Sequence, residues 1–128
     1  MIMLGFWLLM AAAALSLFGA FFHGVVGGRM YMDNINRTDL EPLSKSLSLV
    51  SWHVFTIFLL VGAISFLSVG FGLLSSIALY PVIVINLLGA LLFIFLGLSG
   101  HKGLMKMPGA FLMATTATCG HLGATWLV

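Results

Sequence analysis

The chain is expected to be all-α, an integral membrane four-helix bundle with both termini on the outer side. Apolar residues make up 62% of its 128 positions and charged residues 6%, with a mean hydropathy of +1.22. Water could not bathe so apolar a surface, whereas a bilayer is an apolar solvent for it. The charges, five basic and three acidic, fall in two clusters. Between Lys45 and Lys102 lie 56 uncharged residues, too many for one helix and suited to a helical hairpin.

The first span is placed at about 3–26, closing on AFFHGVVGGR. It lacks the basic leader of a secretory signal and is read as a retained helix. A charged loop follows over 29–46, carrying Arg29, Asp33, Arg37, Asp39, Glu41 and Lys45. Within it MYMDNIN has turn-forming residues, and Thr38 to Glu41 has the T-x-x-E spacing of a capping box ahead of Pro42. An interfacial helix is therefore expected from about 39, running into a second span at 47–69. Gly70, Gly72, Ser75, Ser76 and Pro81 mark the reversal into a third span at 79–100. The loop 101–106, with Lys102 and Lys106, leads to a fourth span at 107–127. All five basic residues then share one side. The positive-inside rule makes that side cytoplasmic, in a cytoplasmic (inner) membrane, and leaves the termini outside. Trp7, Tyr80 and Trp126 map to the outer interface and Trp52 to the inner one, as in aromatic belts.

Helix contacts in lipid depend on small residues that let backbones approach. Ser16, Ala20, Gly24 and Gly28 form one such stripe on the first span, spaced by four. On the fourth span Ala110, Ala114 and Thr118 form one stripe, and Thr116, Gly120 and Ala124 another. Spans one and four are the expected inner partners. A stripe on each side of one helix exceeds what a single neighbour needs, which points to a homo-oligomer or another membrane protein as partner.

Four histidines bear on chemistry. His23, His53 and His101 fall near the cytoplasmic face, where they read as interfacial residues or, as the sharper alternative, as ligands to copper or haem. His121 belongs to the outer half, at the depth of Asn86, and the two are expected to form a polar pair by direct or water-bridged contact. Asn86 shares a face with Ala90, Phe93, Gly97 and His101, so that face is expected to look inward. Cys119 and His121 are two apart and diverge on a helix, so they cannot chelate together. No G-x-S-x-G, phosphate loop or paired carboxylate occurs, and no catalytic residue is assigned. A net charge of +2 confined to short loops gives no footprint for nucleic acid.

The expected function is binding: an accessory, assembly or stabilising subunit, or a self-associating scaffold, with no cofactor. Two alternatives stand beside it. One is an oligomeric transporter or channel for small ions or solutes, using His121. The other is a redox protein holding haem or copper through His23, His53 and His101.

Overall fold

The computed structural model describes residues 1–127, and every regular element among them is helical. α1 (Ile2–Phe21), a π-helical segment (Phe22–Gly27) and α2 (Gly28–Asn36) form one continuous helix of 35 residues. α3 (Pro42–Gly70) follows after a short turn. Residues Ser76–Leu79 make a 3-10 turn that leads into α4 (Tyr80–Leu98). A second 3-10 turn, Lys102–Lys106, precedes α5 (Gly109–Trp126). Three stretches, Ile2–Asn36, Pro42–Gly70 and Ser76–Leu98, are long and apolar enough to cross a membrane. α5 is shorter, with 18 residues rich in Gly, Ala and Thr.

The charged connection is shorter than its sequence implies. No proline or glycine interrupts residues 29–36, so the helix continues through them, and the Asn34 amide donates to Met30 O within it at 3.0 Å. The expected capping box does not form. Thr38 instead donates its hydroxyl back to Ile35 O at 2.7 Å, closing the end of α2. α3 starts at Pro42 and runs unbroken to Gly70, so the expected interfacial helix is simply its first turns. Proline suits that start because its missing N–H would have had no partner there. The Lys45 ammonium donates to Asn36 O at 3.1 Å across the turn.

At the other end the expected reversal is found at residues 71–75. Gly72 takes a φ of +72°, the left-handed conformation that glycine adopts without steric cost. Ser75 caps the following turn, accepting from Ile77 N at 3.4 Å.

α1 lies against both α3 and α5, and α5 lies against α4. α3 and α4 are consecutive, yet they meet only weakly, so the helices are arrayed in the order α3, α1, α5, α4. The expected pairing of the first and last helices is present. A Cβ on Gly5 would stand 2.7 Å from Leu127 N and 2.8 Å from Trp126 C, and one on Gly123 would stand 3.1 Å from Gly5 O. At this crossing backbone meets backbone.

The core occupies the end of the molecule near Gly5 and Gly70. Phe66 reaches across from α3 with no exposed surface, joining Leu9, Leu79, Ile83 and Ala117. Gly120 gives it room, since a Cβ there would stand 2.5 Å from the Phe66 ring. Ser16 is buried in the same region and its Oγ has no hydrogen-bond partner. An unpaired buried hydroxyl costs about 1–3 kcal/mol. Ser16→Ala is therefore expected to leave thermal stability in detergent unchanged or raise it by up to about 1 kcal/mol.

The small-residue stripes divide. Ser16, Ala20 and Gly28 are buried, and Gly24 abuts Thr56 of α3. On α5, Thr116, Gly120 and Ala124 are buried, together with Met113, Ala117 and Gly123. The other stripe faces outward: Ala114 and Thr118 are exposed and Ala110 is half-buried. Ala114 and Thr118 lie away from the packing, because α1 and α4 both contact the opposite side of α5.

Candidate functional site: a polar-tipped cavity beside a histidine–tryptophan stack

The glycines around His23 make room for aromatic rings. A Cβ on Gly27 would stand 3.0 Å from the Trp52 ring, and one on Gly28 would stand 3.4 Å from Trp52 Nε1. Trp52 comes so close that its indole N–H donates to His23 O at 2.9 Å. His23 O also accepts from the Gly28 N–H, the i→i+5 bond of the π-helical turn, so this carbonyl holds both the turn and the indole. The His23 imidazole stacks on Trp52 at a centroid distance of 4.2 Å and an angle of 7°. Tyr31 stacks on the other side, at 4.4 Å and 15°. Trp52 is thus held between two rings. A 3.1 Å hydrogen bond joins His23 Nδ1 to the Thr56 hydroxyl.

Next to this stack the helices part. A cavity of about 110 Å³ lies between them, lined by Leu15, Phe22, Phe55, Leu59, Phe93 and Met113 and tipped by the polar side chains of His23, Asn86 and Thr116. Asn86 is 6% exposed and Thr116 3%. The Asn86 amide donates to Val82 O at 2.9 Å. Among the described residues nothing donates to its Oδ1, and the Thr116 hydroxyl has no partner either. A second cavity, of about 230 Å³, adjoins it between α3 and α4 and shares Phe55, Leu59 and Asn86. The weak contact between these two helices leaves that side open.

Several residues singled out from the sequence lie elsewhere. Asn86, Ala90 and Gly97 are buried, as expected for an inward face of α4, but His101 is exposed beyond its end. His121 is exposed on α5, and no hydrogen bond joins it to Asn86, which turns instead to its own helix and the cavity. Equal depth did not mean a shared face: Thr116 and Gly120, not His121, lie on the buried side of α5. His23, His53 and His101 do not converge. His53 follows Trp52 directly, so it projects about 100° away from the stack and is exposed. Among the described residues no group of three or more His, Cys, Asp or Glu side chains is placed to hold a metal ion.

Sequence reasoning read Trp52 as a belt residue and did not single out Thr56 or Tyr31. A signal was present. Trp52 and Thr56 are four apart and share one face of α3, and that face meets Gly24, Gly27 and Gly28, in the π-helical segment and at the start of α2.

The chain matches no protein-family model, no curated protein and no solved structure.

Proposed function

We propose that the chain is a multi-pass protein of the cytoplasmic membrane, a bundle of four spanning helices, that works by binding another membrane protein or a second copy of itself as an accessory, assembly or stabilising subunit. The loops around Lys45 and Lys106 face the cytoplasm and the termini face outward. One observation carries this reading. Phe111, Ala114, Thr118, His121 and Thr125 are all exposed on α5, at alternating spacings of three and four that place them in a single row.

A row facing lipid should be apolar throughout. This one combines two threonines, an alanine and an imidazole. An ionisable side chain within a span is costly against hydrocarbon and finds a partner in a bundle or a water-filled cavity. Small and hydroxyl residues are also what let a neighbouring helix approach closely. The row is accordingly read as a helix-docking face, with His121 hydrogen-bonding across it.

Cross-linking tests this directly. In a Cys119→Ser background, Thr118→Cys is expected to form a disulfide-linked species on oxidation in native membranes, either a homodimer or a heavier adduct with a partner. Leu88→Cys, on the exposed side of α4, is expected to give none. Equal cross-linking at both positions, or none at Thr118→Cys, would contradict the reading.

A further inference from the structure

The cavity beside the His23–Trp52 stack lies on the opposite side of the molecule's packing from the α5 row, and it has the features of a ligand site. We infer that it binds the head of a neutral, ring-headed lipid of the quinone or quinol class, whose tail leaves between α3 and α4.

Four observations point to that occupant. The first is polarity. Asn86 and Thr116 are each more than nine-tenths buried and line the cavity, and among the described residues neither Asn86 Oδ1 nor the Thr116 hydroxyl has a hydrogen-bond partner, both keeping some open surface. Polar atoms that open onto an otherwise apolar cavity lack both protein and bulk-water partners unless something polar enters it. A ligand bearing oxygens would satisfy them: the Thr116 hydroxyl and the second Asn86 N–H donate to a ring carbonyl, and Asn86 Oδ1 accepts from a ring hydroxyl. His23, with Nδ1 engaged by Thr56, adds a third polar tip.

The second is charge. No Lys, Arg, Asp or Glu lines either cavity, so a phosphate or carboxylate head would be buried without a counter-ion. The head must be neutral. The third is size. About 110 Å³ is close to the roughly 150 Å³ of an apolar cavity known to take a benzene ring, and far below what a haem needs. The surrounding walls are aromatic and aliphatic, as in ordinary small-molecule sites. The fourth is access. The adjoining cavity is walled by Phe58, Val61, Val82 and Ile85, and it opens where α3 and α4 fail to close. An apolar tail fits there and would reach lipid without crossing the headgroup layer.

The test uses the full chain in nanodiscs, with Trp7→Phe and Trp126→Phe so that Trp52 is the sole indole. A short-tailed benzoquinone is titrated against its fluorescence and against thermal unfolding. The expected result is saturable quenching with an upward shift in Tm. Asn86→Leu and Thr116→Val, made singly, are each expected to weaken binding by about tenfold. Leu59→Phe, which narrows the cavity from α3, guards against a polar variant that fails to fold, and is expected to weaken binding as well. A diacylglycerol, neutral but ringless, and an anionic phospholipid are expected to give no shift. Quenching that rises linearly and equally in all variants would overturn the inference, as would equal protection by diacylglycerol. Neither outcome bears on the α5 docking face, which cross-linking at residue 118 reads independently.

Discussion

Gly5→Leu is expected to prise α1 from α5 and to destabilise the chain by about 3 kcal/mol or more. Even a Cβ at this position would stand within 2.8 Å of the backbone of Trp126 and Leu127. Backbone cannot rotate aside as the end of a flexible side chain can, so the whole crossing must open. The opening would also expose Leu9, whose side chain lies against Gly123 in the same contact. Thermal unfolding in detergent, followed by circular dichroism, measures the loss. Gly103→Leu is the control. Nothing lies within 4 Å of a Cβ on Gly103, and that variant is expected to unfold with the wild type.

Trp52→Ala is expected to cost about 3 kcal/mol and to loosen the end of the molecule that holds the charged turn. The change removes two stacked contacts, with His23 and Tyr31, and the hydrogen bond to His23 O. It also uncovers Gly27 and Gly28. Trp52→Phe separates these contributions. A phenyl ring keeps part of the stacked area but loses the indole N–H and one of the two fused rings, so the expected cost falls to about 1–2 kcal/mol. Proteolysis within residues 28–42 should accelerate in Trp52→Ala and change little in Trp52→Phe. Equal stability of Trp52→Ala and wild type would show that the stack contributes nothing.

How much of this was legible in the letters depends on the range of the interaction concerned. The helices were, because spacing of charge and apolar length act locally: starts near Ile2, Tyr80 and Gly109 and ends near Gly70 and Leu98 lie within a few residues of those expected. The turn at Gly72 was legible for the same reason. The first connection was not. Thr38 and Glu41 have the spacing of a capping box, but that hydroxyl can serve the helix before it as readily as the one after it, and here it closes α2.

Facing was harder still. Both α5 stripes have equivalent compositions, and only the position of α1 and α4 decides that Thr116 turns in while Thr118 turns out. The Asn86–His121 pair failed on that point. Depth along a helix follows from counting at 1.5 Å per residue, but azimuth follows from which neighbours the helix has. The cavity was least legible of all, since it exists because α3 and α4 stand apart, and no local pattern records a contact that two helices do not make.

The proposed topology, with both charged connections on one side of a bilayer, underlies the docking face and the ring-headed lipid alike. Cysteine accessibility measures it most directly. In a Cys119→Ser background, Lys45→Cys and Lys106→Cys are expected to react with a membrane-impermeant maleimide only in inverted vesicles, and Leu73→Cys, beside the opposite turn, only in right-side-out vesicles. Labelling of Lys45→Cys and Lys106→Cys from opposite sides would contradict the account.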